Sequence, residues 1–139
     1  MAGPWRCLNH SKRGGADACS TPAIVRAVRE EMLPLDRNFF RREATLRRSL
    51  ERLDRCWEDL RGHEPGDGPA ALQAREAAAL TATSRWAYRS ALARAESRGM
   101  HRRRDRPGAD PGLACSLHAR GLDQVRIARA DGRSTESVS

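Results

Sequence analysis

A single stripe of large apolar residues runs through the middle of the chain and limits what the chain can fold into. The stripe repeats at intervals of three or four residues and consists of Leu46, Leu50, Leu53, Cys56, Trp57 and Leu60. Residues at this spacing lie on one face of an α-helix. The opposite face is charged, and we interpret it as solvated: Arg47, Arg48, Glu51, Arg52, Asp54, Arg55, Glu58 and Asp59. The pattern predicts an amphipathic helix that buries one side against other helices.

A shorter helix is predicted before this one. Thr21 followed by Pro22 is typical of a helix start, because Thr caps the first turn and Pro fits its first position. The apolar face that follows holds Ile24, Val25, Val28 and Met32. We predict that Glu30 and Glu31 are solvated and that the helix ends within residues 33–36.

A long alanine-rich helix is predicted after residues 61–69, a stretch rich in Gly and Pro that forms a turn. This helix extends from Ala70 to Arg98. Its expected buried face consists of Leu72, Ala79, Leu80, Thr83, Trp86, Ala87, Ser90 and Ala91. Because the turn is short, the two long helices are expected to lie antiparallel.

Together these segments predict an all-α fold, an antiparallel three-helix bundle of the spectrin-repeat kind. Only 4% of the 139 residues are aromatic, which suits close-packed helices better than a sheet sandwich. The predicted domain spans residues 21–107. Residues 1–20 are predicted to be a flexible leader. Residues 108–139 are predicted to be an extended arm and a disordered tail, with one short extended piece at Leu122, Val125 and Ile127.

The end of the third predicted helix carries the order Glu96-Ser97-Arg98-Gly99-Met100-His101, followed by Asp105 and Pro107. Glycine enters the left-handed conformation without steric cost, so Gly99 is predicted to cap the helix. Arg98 suits the negative end of the helix dipole. We expect His101 to Asp105 to lie across the end of the bundle, largely exposed.

This order resembles the signature of the C-terminal helical domain of the fumarate reductase and succinate dehydrogenase flavoprotein family, which includes L-aspartate oxidase. The family wording is E-S-R-G-A-H, two or three variable residues including a basic one, then D, an aromatic residue and P. The chain departs from it at Met100 and Arg106. The segments 33–41 and 46–54 also resemble this domain, so the resemblance covers about residues 21–108.

The resemblance implies a structural part of an FAD-dependent oxidoreductase. In that family FAD binds a separate dinucleotide fold with G-x-G-x-x-G, whereas this chain has only Gly66-Asp67-Gly68 between two helices. No catalytic or cofactor-binding residue is therefore carried over. The motif positions carried over, at a junction with the flavin-bearing body, are Glu96, Ser97, Arg98, Gly99, His101 and Asp105. The implied partners are the flavin-binding and capping domains, in cis or in trans, and the isolated chain is expected to bind no FAD and to be inactive.

A second hypothesis is a small basic helical module that binds nucleic acid. The net charge is +8, and nearly all of the positive charge is arginine. The contacting cluster would be Arg98, Arg102, Arg103, Arg104 and Arg106. No helix-turn-helix pattern accompanies the cluster, so we rank this hypothesis second.

The four cysteines, Cys7, Cys19, Cys56 and Cys115, form no C-x-x-C pair and are predicted to be free thiols in the cytoplasm. No apolar run is long enough to cross a bilayer. Two C-x-x-H pairs, Cys7 with His10 and Cys115 with His118, raise the possibility of zinc. The usual finger spacings are missing, so no metal site is predicted.

Overall fold

A computed structural model describes residues 20–62, 64 and 66–130. These residues are mostly helical, with a small two-stranded sheet. The helices are α1 (Thr21–Met32), α2 (Leu35–Asn38), α3 (Glu43–Arg61) and α4 (Pro69–Ala93). After them come a 3-10 turn (Pro111–Leu113) and the strands β1 (Leu117–Arg120) and β2 (Arg126–Arg129). The predicted leader, except Ser20, and the last nine residues of the predicted tail lie outside the described residues.

The apolar stripe predicted for the second helix is confirmed in α3. Leu46, Leu50, Leu53, Cys56 and Trp57 are buried, and Leu60 is half-buried. Ile24 and Val28 of α1 join the same core, and so do Tyr88 and Ala91 of α4. The three long helices therefore share one apolar centre.

The prediction that Glu31 is solvated is wrong. Its side chain is buried between α1 and α3, where Ser49 Oγ donates to Oε2 over 2.5 Å and Arg52 Nη1 to Oε1 over 2.8 Å. Arg37 Nη1 donates to Oε2 over 3.0 Å. Burial raises the pKa of Glu31, but these hydrogen bonds outweigh it and the pKa lies below its ordinary value.

Two predictions about the third helix are also wrong. Helix α4 ends at Ala93, five residues before Arg98, so Gly99 does not cap it. Its buried face is rotated from the predicted one: Leu72 and Leu80 are 59% and 43% exposed. The buried positions are Ala77, Thr81, Ala82, Ser84, Arg85, Tyr88 and Ala91. The reason is that polar contacts of Arg85 and Tyr88 select this face, while alanines on every side leave the helix without a strong apolar stripe.

The extended piece predicted within the arm corresponds in part to an antiparallel hairpin, because Ile127 lies in its second strand. Strands β1 and β2 pair Leu117 with Arg129 and Arg120 with Arg126, and both strands contact α4. Leu122 lies in the connecting turn rather than in a strand. Three side chains of the helices hold this turn by hydrogen bonds, and Arg61 of α3 also pairs with Asp123 over 3.4 Å.

The first two of these side chains are Trp57 and Arg85. Trp57 Nε1 donates to Asp123 Oδ1 over 3.1 Å, and the guanidinium of Arg85 lies 5.1 Å from the centre of the Trp57 ring. Arg85 also donates to the backbone carbonyls of Leu122 and Asp123 and to Asp54 Oδ1 over 2.6 Å. The third is Trp86, whose Nε1 donates to the carbonyl of Gly121 over 2.6 Å. The hairpin is therefore fastened to α3 and α4 by polar contacts.

Candidate domain junction

The motif residues lie in the segment that leaves α4 and returns to the start of α3. Arg98 and His101 exchange backbone hydrogen bonds of 2.9 and 3.0 Å, which closes a tight turn. Gly99 lies inside this turn with φ of 57°, a left-handed conformation that glycine adopts readily. Gly99 therefore reverses the chain within the segment instead of ending the helix.

Glu96 is the centre of the first half of the segment. Its fully buried carboxylate accepts from Arg94 Nη1 over 2.8 Å and from Arg98 Nε over 2.9 Å. The backbone amide of Asp110 donates to it over 2.6 Å. The hydrogen bond from Arg98 lowers the pKa of Glu96 most, and together these contacts outweigh burial and hold the pKa at about 2. Glu96 therefore stays ionised as the acceptor that fixes three separate donors.

Ser97 closes the loop that follows. Its hydroxyl oxygen accepts from the amide of Arg103 over 2.8 Å and lies 2.8 Å from the carbonyl of Arg106 and 3.1 Å from that of Arg103. The amide of Ser97 donates to the carbonyl of Gly108 over 2.9 Å. One serine thus binds the backbone of the loop from residue 103 to residue 108.

His101 links the segment to the chain before α3. Its Nε2 lies 3.0 Å from the carbonyl of Arg94, and its Nδ1 lies 2.7 Å from Arg41 Nη1. A carbonyl only accepts and a guanidinium only donates, so the imidazole is neutral with its proton on Nε2. Burial lowers the pKa of His101, and the nearby charge of Arg41 lowers it further. His101 therefore acts as a fixed structural bridge.

Asp105 and Arg103 complete the connection. Arg103, only 2% exposed, donates through Nε and Nη2 to the two carboxylate oxygens of Asp105 over 2.9 and 2.6 Å. Its Nη1 donates to the carbonyl of Ala91 over 3.3 Å. The hydrogen bonds from Arg103 are the main reason that the pKa of Asp105 lies far below its ordinary value. Asp105 Oδ2 also accepts from the amide of Glu43, the first residue of α3.

The backbone reinforces these side-chain contacts. Arg41 forms a parallel bridge with Arg103: its amide donates to the carbonyl of Arg102 over 2.9 Å, and its carbonyl accepts from the amide of Arg104 over 2.8 Å. The segment therefore connects the end of α4 to the beginning of α3 through both backbone and side chains.

The structure brings together all six predicted junction residues in this one segment. Of the stretch from His101 to Asp105, which was expected to be largely exposed, Arg103 is buried and His101 half-buried, while the other three residues are exposed. Arg103 is buried and Arg98 is paired with Glu96, so the predicted arginine cluster is divided. Arg98, Arg102, Arg104 and Arg106 remain on the surface. Nucleic acid therefore has no continuous five-arginine surface to contact here.

Sequence reasoning missed Arg94, which lies on the inner side of the same segment. Besides Glu96, its guanidinium donates to the carbonyls of Leu113 and Cys115 over 2.9 and 2.8 Å. The available signal was the spacing of Arg94 and Arg98 on either side of Glu96. When an arginine stands two residues before an acidic residue and another stands two residues after it, both arginines can donate hydrogen bonds to its carboxylate.

The loop between α3 and α4 differs from a dinucleotide-binding turn. It follows a helix rather than a strand, and Pro69 occupies the first turn of α4. Proline has no amide hydrogen, so this helix start has one donor fewer for a phosphate. Within the described ranges, no group of three or more His, Cys, Asp or Glu side chains could hold a metal ion. Cys7 and His10 lie outside those ranges. Cys56 and Cys115 are free thiols, and no described helix is long and apolar enough to cross a bilayer.

The fold is a helical domain whose motif segment connects the end of α4 to the start of α3. The sequence model of the family described as fumarate reductase flavoprotein C-term matches residues 30–112. This match spans more than half of the chain, including α2, α3, α4 and the whole motif segment. The chain therefore belongs to the fumarate reductase flavoprotein C-terminal family. A comparison with curated proteins finds no match to the chain.

Proposed function

We propose that the chain serves as the C-terminal helical domain of an FAD-dependent oxidoreductase of the fumarate reductase and succinate dehydrogenase type. Its contribution is structural: it supports the flavin-binding and capping domains, in cis or in trans, and is not catalytic alone. The observation that carries this proposal is the motif segment within the family match. Its ionisable side chains bond to one another and to the ends of α3 and α4, which is the arrangement of a rigid support.

The proposed architecture is an antiparallel three-helix bundle formed by α1, α3 and α4. Contacts between helix positions support it. Near the start of α3, Arg103 contacts both Glu43 and the carbonyl of Ala91, late in α4. Further along α3, Asp54 binds Arg85, which lies earlier in α4. Progress along α3 therefore corresponds to a return along α4, as in antiparallel helices.

The proposal assigns FAD to the partner domains. The reason is the helix-to-helix setting of Gly68 and the proline at the start of α4, which suit a tight loop better than a pyrophosphate site. The proposal also places the protein in the cytoplasm, because the buried thiol of Cys56 and the thiol of Cys115 are unpaired, as is usual in a reducing compartment.

Complementation in trans tests this function. The chain is co-expressed with the flavin-binding and capping domains of a fumarate reductase-type flavoprotein that lacks its own C-terminal helical domain. We expect the two polypeptides to copurify with FAD and to reduce fumarate, whereas the chain alone does neither. Leu53→Asp, which places a charge in the core, is the folding-defective control.

Two results contradict the proposal. One is the absence of a complex between the folded chain and the flavin-bearing domains. The other is stoichiometric FAD on the isolated chain after gel filtration. A flavin-binding fold encoded next to the chain, in the same or a neighbouring reading frame, would be independent support.

A further inference from the structure

The single turn of α2 is held more firmly than its length requires. Asn38 Nδ2 lies 2.8, 3.0 and 3.1 Å from the carbonyl oxygens of Glu31, Met32 and Pro34. Its Oδ1 accepts from the buried hydroxyl of Tyr88 over 3.0 Å. Four contacts on one amide fix the turn to the end of α1 and to α4. A four-residue helix has little stability of its own, so this anchoring sets its position.

The anchored turn presents large apolar side chains to solvent. Leu35 is 76% exposed, Phe39 is 39% exposed and Phe40 is 46% exposed. Leu35 and Phe39 are four residues apart on the turn and so share a side of it. The rings of Phe39 and Phe40 meet edge to face with centres 5.3 Å apart, and the guanidinium of Arg104 lies 4.7 Å from the centre of Phe40. We call the continuous surface of Leu35, Phe39, Phe40 and Arg104 the α2 face.

An ordered apolar face of this kind is typical of an interface. Neighbouring leucine and phenylalanine side chains that stay this exposed forgo part of the stabilisation that burial would give them. Aromatic and arginine side chains are also enriched where protein interfaces gain most of their binding energy. The α2 face therefore combines a fixed backbone with the residue types of an interface centre.

The charges around the α2 face indicate what kind of surface it fits. Arg104 belongs to it, and the backbone bridge to Arg41 places Arg102 and Arg104 beside Phe40. Arg42 and Arg106 are exposed in the two segments that this bridge joins. Asp36 is the acidic residue of the α2 turn. A complementary partner presents an apolar patch with an acidic rim.

We propose that the α2 face is the surface that docks onto the flavin-bearing body, against an apolar patch with an acidic rim. The proposal rests on the function proposed above and names the part of the domain that carries it. The motif segment then has a further role, because it holds Arg104 against Phe40 through the bridge between Arg41 and Arg103.

Paired variants in the complementation system test this docking. Leu35→Ser with Phe39→Ser removes the apolar side of the α2 face, and Leu72→Ser with Leu80→Ser is the matched control on exposed leucines of α4. We expect the first pair to weaken copurification with the flavin-bearing domains at least tenfold and the control pair to change it less than twofold. Urea midpoints measured on each purified variant confirm that both fold.

A charge variant tests the acidic rim independently. Arg104→Glu should weaken the complex at least fivefold, whereas Arg75→Glu, at an exposed position early in α4, should not. Added salt should weaken the wild-type complex, because exposed charge attraction is screened.

The outcomes separate this inference from the proposed function. If the wild-type complex forms and the α2-face variants bind equally well, or no worse than the controls, the docking inference is wrong and the function stands. If no complex forms with the wild-type chain, both are wrong. If the chain alone dimerises and Leu35→Ser with Phe39→Ser disperses the dimer, the occupant is a second copy and the docking inference is also wrong.

Discussion

The backbone amide of Glu43 donates a hydrogen bond of 3.0 Å to the carboxylate of Asp105, so the first residue of α3 is capped by a side chain 62 positions further along the chain. Arg42, at the N-cap position itself, makes no capping bond with its side chain. A carboxylate at this end also suits the positive end of the helix dipole. The start of α3 therefore depends on the motif segment being in place.

Asp105→Ala should strongly destabilise the fold. The change removes the cap and leaves the more distant carboxylate of Glu43, at 3.5 Å, as the remaining acidic partner of the buried Arg103 guanidinium. Breaking a buried pair from one side costs about 3–5 kcal/mol. Urea unfolding measures the loss, with Asp67→Ala in the exposed loop before α4 as the control, expected to change stability by less than about 0.5 kcal/mol. Equal unfolding midpoints for the two variants would contradict this role of Asp105.

Glu96 should make stability depend on pH in the acid range. Its pKa is about 2 in the folded protein against an ordinary value of 4.5, so between these values the unfolded chain binds more protons. Its contribution is therefore complete above 4.5 and is lost as the pH falls towards 2. Glu31 and Asp105 act in the same direction.

The measurement compares urea midpoints of the wild type and Glu96→Gln over this pH range. The difference between the two curves isolates Glu96, and it should shrink as the pH falls. Parallel curves would show that Glu96 has no depressed pKa in the folded protein.

Gly99→Ala should cost more than Gly108→Ala. An added methyl group meets no atom within 4 Å at either position, so packing does not distinguish them. Gly99 has φ of 57°, whereas Gly108 is not among the glycines with positive φ. The left-handed conformation costs an alanine about 1–2 kcal/mol. Thermal or urea unfolding of both variants tests this, and a Gly108 variant that is as unstable as the Gly99 variant would be inconsistent with the turn.

Glu31→Gln should destabilise the protein more than Glu30→Gln. The side chain of Glu31 is 4% exposed, and its carboxylate accepts hydrogen bonds from Arg37, Ser49 and Arg52. The side chain of Glu30 is 51% exposed and pairs with Arg52. Replacing the Glu31 carboxylate by a neutral amide weakens its charge-assisted hydrogen bonds and should cost about 1.5–3 kcal/mol. The surface change should cost about 1 kcal/mol or less. Similar losses from the two neighbours would mean that the buried network contributes little.

Local sequence patterns were sufficient to predict the structure wherever the spacing of apolar residues determines it. The stripe from Leu46 to Trp57 determined the buried side of α3, and the order from Glu96 to Asp105 was enough to indicate the family. The helical class follows from the same periodicity. These features depend on residues that are close to one another in the sequence, so they can be recognised without knowledge of the fold.

Long-range polar contacts were not visible in the same way. Ser49 and Tyr88 reach Glu31 from 18 and 57 positions away, and nothing near Glu31 distinguishes it from Glu30. In α4 the alanines obscured the buried face, which Arg85 and Tyr88 define by contacts to other elements. The hairpin did carry a local signal: the apolar residues Leu117 and Ala119 alternate with the polar residues His118 and Arg120, an alternation typical of a strand.

The hydrogen bonds within the motif segment have a consequence for how such a motif is inherited. They join side chains and backbone groups of five residues: Glu96, Ser97, Arg98, Arg103 and Asp105. Each of these residues bonds to at least one other, so a single substitution leaves a polar group without its partner. Selection that preserves the motif can thus act on the integrity of the domain. A sequence that carries the motif is therefore expected to carry the whole folded segment, because the parts of the segment depend on one another.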